Sequence, residues 1–343
     1  MSRSYGRLLL RLSAIVLVVA AVVVVVVVVV VVIRAGRPAW TAGEPRRLFS
    51  PTSFWNRPLP RRPALSADSA ALVRDLNEQI RAAYGTVNVN TTSYSAPVYV
   101  VNRYVRPVRV RVVGCGSIPA DTAASSSLRR VPIPVGAQVA SGTDHDLIVL
   151  QPSTGREWEL WEAHHGRTGW TACNGGELQH LSTSSGVFPS PLGVSASGMS
   201  ILAGMIRFSD LHARSIDHAL NVAVPWTSRY PVHVAPADRT DGWSTAPDAI
   251  PEGTRFRLDP SVDVASLHLT PLGAMVAHAL QKYGMVVSDT AGAVSFQGQD
   301  PAPLAAMGRP NPWTAWFAGA RSYEALAGIP WSDLQALAPR PPG

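Results

Sequence analysis

Carboxylates, imidazoles and indoles crowd one short stretch of this 343-residue chain. Asp144-His145-Asp146 leads into an apolar run, a turn at Pro152 to Gly155, and then Glu157-Trp158-Glu159-Leu160-Trp161-Glu162. That pattern has the form of a β-hairpin. Side chains two apart share a face of a strand, so Glu157, Glu159 and Trp161 project together while Trp158, Leu160 and Glu162 project the other way. Carboxylates beside an indole suit glycosidic cleavage: one carboxyl protonates the leaving oxygen, a second serves as base or nucleophile, and the ring stacks on the sugar. Glu159 is expected as the acid/base, with Asp144 and Asp241 as candidate partners and His218 as proton donor or orienting group. Trp158 and Trp161 are the expected stacking platforms, with His145, Tyr283 and Asp289 completing the substrate-binding set. A competing reading makes the same carboxylates an ordinary acidic solvent face. Lytic cleavage of a uronate polymer, with His218 or Tyr283 as base, is a variant of the enzymatic reading.

Other chemistries lose support on composition. Lys282 is the sole lysine among 30 basic residues, so neither Gly-Lys-Ser/Thr nor Ser-x-x-Lys can be written. His-Glu-x-x-His and Gly-x-Ser-x-Gly are absent as well. His164 and His165 are adjacent, and on an extended chain they point to opposite faces, so they do not share one ion easily. Asp144-x-Asp146 has a spacing too common to argue for calcium. No metal and no cofactor is expected. The first 65 residues hold ten arginines against one acid, Glu44, which exceeds the net charge of +7 for the whole chain. The remainder is therefore mildly acidic and lacks the basic footprint of a nucleic-acid binder.

The elements that must position these residues read mostly as strands. Ser66 to Tyr84 is a helix with Ser66 as N-cap and Leu72, Val73, Leu76 and Ile80 on one face. Strands follow at Val98 to Val101, Val108 to Val112, Leu147 to Leu150, Glu157 to Trp161, Leu220 to Val224, Arg255 to Leu258, Met285 to Val287 and Val294 to Phe296. Helical pattern interrupts them near Ile201 to Ile206, and again from Thr270 as N-cap through Pro271 to Tyr283. The expectation is a mainly β fold, an antiparallel β-sandwich of jelly-roll-like layout with a few peripheral helices.

Residues 12–33 contain one polar side chain, Ser13, and an unbroken valine run from Val22 to Val32. A helix of that length is roughly 33 Å long, enough to cross a hydrocarbon core of about 30 Å. A cleaved signal peptide would have a shorter apolar region and a small-residue cleavage site. The reading is a cytoplasmic basic tail (1–11), a single transmembrane anchor in the lipid bilayer (12–33), a Pro/Arg-rich stalk (34–65) and an extracytoplasmic β-rich domain (66–343). Arginine counts on the two sides of the anchor would by themselves favour the reverse orientation. Phe54-Trp55-Asn56 is more hydrophobic than a stalk needs and is expected to pack onto the domain. Cys115 and Cys173 are the only cysteines, and in an oxidising compartment they read as a disulfide.

Several blocks carry a resemblance: Ser50-Pro-Thr-Ser-Phe-Trp55-Asn56, Asp144 with Glu159-Leu-Trp161, Ile216-Asp-His218-Ala-Leu220, Asp241-Gly242, and Ala279-Leu-Gln-Lys-Tyr283-Gly284 leading to Asp289. In these the chain resembles a group of exported bacterial proteins whose layout is similar to jelly-roll proteins that cut or bind polysaccharides. The chain departs from that group after Asp289, where Thr290-Ala291-Gly292 stands in place of a more polar turn. The resemblance implies a polysaccharide substrate at the cell envelope, with a non-catalytic envelope protein that binds glycan or a protein partner as the alternative.

Overall fold

The computed structural model describes residues 40–339, except 42 and 117. The expected anchor (12–33), the basic tail (1–11) and the first residues of the stalk lie outside the described residues. Among the described residues no helix is long and apolar enough to cross a membrane.

Along the chain run β1 (Trp40–Thr41), α1 (Ser69–Ala82), β2 (Asn88–Asn90), β3 (Val98–Val101), β4 (Val110–Val112), α2 (Thr122–Ser127), β5 (Leu147–Gln151), β6 (Arg156–Trp161), β7 (His164–Gly166), β8 (Gly169–Ala172) and β9 (Asn174–Leu178). The second half adds α3 (Ile201–Gly204), α4 (Phe208–Ala213), β10 (Leu220–Val224), β11 (Arg255–Leu258), α5 (Pro271–Lys282), β12 (Met285–Thr290), β13 (Ser295–Gln297), α6 (Ala302–Ala306), α7 (Trp313–Phe317) and β14 (Leu334–Ala336). Among the described residues they form a sheet β1-β3-β5-β6-β9, a sheet β14-β11-β12-β10-β13-β2, and a small sheet β4-β8-β7.

The β-rich character agrees with expectation, but seven α-helices among the described residues make the fold mixed α/β rather than mainly β, and the uniformly antiparallel sandwich is not found. The pairs β3/β5, β10/β12, β2/β13 and β4/β8 are parallel, so all three sheets are mixed. The reason is visible in the strands themselves. β5 is buried along its whole length, and β10 is buried at every position but one. A strand covered on both faces reads as a continuous apolar run, which is what parallel neighbours require. The connection from β10 to β12 passes through β11 and α5, long enough to return the chain in the same direction.

Alternation along β5 splits its side chains between two cores. Ile148 and Leu150 join Trp55, Ile201, Leu202 and Val286 in one cluster, through which the two large sheets share a core. Val149 joins Trp158, Leu160 and Trp170 on the other face. A third cluster packs α1 and α5 on the second large sheet through Leu76, Val276, Leu280, Val222 and Phe256. Helix α5 starts as expected, with Thr270 Oγ1 accepting from Gly273 N at 2.9 Å. Helix α1 begins three residues later than expected, because Ser66 Oγ caps a turn at Asp68 N instead.

The stalk reading is corrected for the residues described here. Leu48, Phe49 and Trp55 are buried in the core shared by the two large sheets. The Trp55 indole donates to Gly186 O at 3.2 Å. It lies so close that a Cβ on Gly186 or Gly204 would come within 2.7 or 2.8 Å of the ring. The segment folds through turns at residues 51–57, and its Pro and Arg content does not keep it off the body. Cys115 and Cys173 form the expected disulfide, with Cα atoms 5.2 Å apart.

Candidate functional site

The β5–β6 hairpin pairs Ile148 with Glu159 and Leu150 with Glu157. Residues directly opposite share a face, so Asp146, Glu157 and Glu159 all lie on the side that looks into the shared core. There the chain entering α3 meets them. Ser200 caps α3, accepting from Ala203 N at 3.1 Å, and its hydroxyl reaches Glu157 Oε1 at 2.8 Å and Glu159 Oε1 at 3.1 Å. Glu159 Oε1 also accepts from Ile201 N at 2.7 Å and Leu202 N at 3.2 Å, groups that a helix start leaves without intrahelical partners. Both glutamates are fully buried.

The end of β12 supplies the opposite wall. Asp289 Oδ2 accepts from Ala196 N at 3.1 Å and Oδ1 from Thr290 N at 2.8 Å. Thr290 Oγ1 donates to Asp241 Oδ2 at 3.3 Å, and Thr227 Oγ1 donates to Glu252 Oε1 at 3.3 Å. Asp241 is carried on a turn that only glycine can complete, since a Cβ at Gly242 would lie 2.0 Å from Ser228 O. Arg239 fastens the facing loop, donating to Leu192 O at 2.7 Å, Ser195 O at 3.1 Å and Asp238 Oδ1 at 3.2 Å.

The mouth of the hairpin carries backbone strain. His145 and Glu162 hold left-handed φ values of 43° and 45° on either side of the bonds from Glu162 N to Asp144 O and from Ala163 N to His145 O. Non-glycine residues in that region cluster at functional sites.

Electrostatics joins the two walls. Burial raises Asp146 well above the ordinary carboxylate range, and the neighbouring Asp144, Glu159 and Asp289 push it further. Burial likewise lifts Asp289 to about 7, with Asp241 and Asp144 adding to the rise. Glu252 is pushed up to about 10 by burial and by Asp289 and Asp241. Burial also raises Glu157 and Asp144, and takes Glu159 to about 7 against the donors it accepts from. The cluster thus stores protons at neutral pH, the condition for carboxyl groups that act as acids. It is graded in depth. Asp241 is exposed, Asp144 and Asp289 are half-buried, and Asp146, Glu159 and Glu252 lie behind them. Asp146 is 4% exposed, yet no hydrogen bond reaches its buried Oδ1.

Of the expected residues, the structure brings together Asp144, Asp241, Asp289 and Glu159. Trp161 is half-buried on the Glu159 side of β6, and His145 borders Asp144 with its Nδ1 3.1 Å from Ala140 O. Three others lie elsewhere. Trp158 faces the opposite side of the sheet and is buried in that core, so it is no stacking platform. Tyr283 is buried at the end of α5, where its carbonyl accepts from Arg255. His218 is buried in an ionic cluster, with Nε2 3.1 Å from Asp210 Oδ2 and Nδ1 2.8 Å from its neighbour's carbonyl at Ala219. Burial would raise Asp210, but Arg207 and His218 more than offset it and hold the carboxyl at about 2. Arg207 also donates to Pro45 O at 3.2 Å and Arg46 O at 3.1 Å, while Glu44 Oε1 accepts from Ser209 N at 3.0 Å.

Glu159 itself is too deep to touch a ligand, so the accessible carboxylates are Asp144, Asp289 and Asp241. Sequence reasoning missed Asp146 as an acid, Glu252 and Arg239. Glu252 sits alone between the turn formers Pro251 and Gly253, which was the available signal. His164 and His165 do turn to different partners: His164 meets His145 edge-on at 4.7 Å and His165 stacks on Trp170 at 4.8 Å. Among the described residues, no three of these carboxylates offer oxygens all within 4.8 Å of one another, as a shared metal would need. A cavity of about 950 Å³ lies beside the cluster rather than in it, with Pro251 and Gly253 in its wall and Phe54, Leu59 and Pro236 among its apolar lining. Comparison of the chain with protein-family models, with curated proteins and with solved structures finds no match.

Proposed function

We propose that the carboxylate cluster is the active site of a membrane-anchored glycan hydrolase acting on cell-wall or extracellular polysaccharide. One observation carries the reading. Asp144 and Asp289 arrive from different sheets, both half-buried, and Asp144 stands close enough to add to the rise of Asp289. Asp289, lifted to about 7, gives its proton to the leaving glycosidic oxygen. Asp144 takes the proton of the water that attacks the anomeric carbon. Two carboxyls split in this way into acid and base are the requirement of glycoside hydrolysis. Trp161 offers its ring to the sugar face. Burial, with Asp241 and Asp144 beside it, keeps the acid protonated. On this reading the two large sheets, which share one core, serve as the layers of a sandwich with the cleft at their common end.

Elimination is disfavoured, because the bases expected for it, His218 and Tyr283, are buried away from the cluster. The test is a panel of neutral, amino and uronate polysaccharides offered to the full-length chain. New reducing ends, lost in Asp289→Asn, support the reading. An unsaturated product absorbing in the near ultraviolet would overturn hydrolysis in favour of elimination. Binding without turnover across the panel would make the protein a non-catalytic glycan-binding module.

A further inference from the structure

We infer that the disulfide and a zinc-type metal site are alternative states of the same residues: once a dithiol has reduced Cys115–Cys173, the two thiolates and the Glu162 carboxylate hold one divalent cation. The ligand atoms of these three side chains all lie within 4.8 Å of one another, and among the described residues no other group of His, Cys, Asp and Glu converges in this way. Their backbones are placed without help from the sulfur–sulfur bond. Strands β4 and β8 run parallel with Val112 paired to Ala172, and Val113 N donates to Ala172 O at 3.0 Å. Cys173 follows β8 directly, and its amide donates to Trp161 O at 2.9 Å. Cys115 stands just past β4, exchanging backbone bonds with Ile118 at 2.9 and 2.8 Å. The pairing of Trp161 with Asn174 and of His164 with Thr171 sets Glu162 across the hairpin from Cys173, and Glu162 N is tied to Asp144 O at 2.7 Å. Ligands fixed by separate backbone pairings stay together when the thiols are free. Cys173 is buried, whereas Cys115 and Glu162 are half-buried, so an ion has a way in and one coordination position is left to water. The donor set names the cation. Thiolates select zinc and its soft relatives, while calcium and magnesium take oxygen ligands. Zn–S bonds of about 2.3 Å and Zn–O bonds of about 2.0–2.2 Å need the sulfurs to turn apart only by side-chain rotation. The dithiol delivers two electrons to the S–S bond and leaves as its own cyclic disulfide; each sulfur takes a proton, and the cation returns both protons to solvent when it binds. The site stands whether or not the chain cleaves glycans.

Titration of the full-length chain with Co²⁺, as the spectroscopic probe for zinc, tests this after reduction with a dithiol and desalting under nitrogen. The reduced chain is expected to take one ion, with thiolate-to-cobalt absorption in the near ultraviolet that Zn²⁺ abolishes by displacement. The oxidised chain should show no such band. Zn²⁺ should also restore part of the melting temperature lost on reduction, since it binds the folded form. Glu162→Gln, checked for folding with its disulfide intact, should weaken Co²⁺ binding at least about tenfold while the thiolate band persists. Cys115→Ser and Cys173→Ser should each remove the site. A reduced chain that stays folded by circular dichroism yet binds no ion overturns the inference, as does one that unfolds on reduction with Zn²⁺ present. Wild-type affinity in Glu162→Gln, or equal binding by the oxidised chain, overturns it too.

Discussion

Asp289 is the carboxyl on which protonation and access meet, since it is half-buried and yet held at about 7. Asp289→Asn is expected to lower turnover by roughly 10²- to 10⁴-fold, the usual worth of a general acid, with the folded state retained on circular dichroism. A general acid works only while protonated. In the wild type, turnover should therefore fall as pH rises through about 7, and a rate flat to pH 9 would remove Asp289 from that role. The residues of the site were legible in the sequence to different degrees. Asp144, Asp241 and Asp289 stand at strand ends or turns, where a polar residue has little other use. Glu159 was found by period-two alternation, which tells which side chains share a face but not which face is inside. That is why its depth, and the burial of Trp158, were out of reach. His218 next to an apolar run reads equally as ligand or core, and its true partner Asp210, eight residues earlier on α4, gave no sign of itself.

Trp55 packs onto the body as its hydrophobic surroundings predict, and in that Pro- and Arg-rich segment it fills the space left by Gly186 and Gly204 beside α3, the helix whose first amides hold Glu159. Trp55→Ala should destabilise the fold by about 3–5 kcal/mol, measured by denaturant titration, with turnover falling in the surviving folded fraction because α3 loses its backing. A loss under about 1 kcal/mol would mean that the segment is only draped on the surface. Ser200→Ala removes both the α3 cap and the hydroxyl shared by Glu157 and Glu159. A cost of roughly 1–3 kcal/mol is expected, since buried carboxylate oxygens lose a donor. Element type was largely readable: strands β3, β5, β6, β10, β11 and β12 sit where periodicity places them, α5 where its cap does, and α1 follows its apolar face but not its expected cap. Strand direction was not, because β5 is apolar up to Gln151 and β10 apart from Asn221, and a nearly continuous apolar run carries no record of its neighbour's orientation.

At the scale of the whole molecule the buried acids tie stability to pH. A carboxyl whose folded pKa lies above its unfolded value stabilises fully below the unfolded value, near 4, and that contribution is lost as pH rises through the folded value. With Asp289 and Glu159 at about 7 and Glu252 at about 10, the melting temperature should fall from pH 5 to pH 8 and continue falling beyond. Glu252→Gln should flatten the alkaline part of that decline; an unchanged slope would show that Glu252 ionises freely. Asp210, held at about 2, acts in the opposite sense and matters only in strong acid. The disulfide spans 58 residues, and reduction should cost about 4 kcal/mol on the loop-entropy account, seen as a lower melting temperature under reductant. The buried guanidinium of Arg207 has a mechanical consequence. It grips two successive carbonyls of the chain at Pro45 and Arg46 while Glu44 holds the start of α4. Tension applied ahead of Trp40 is met first by the β1–β3 pairing; once that edge strand peels away the load falls on this clasp, where several polar bonds must yield together before α4 is disturbed.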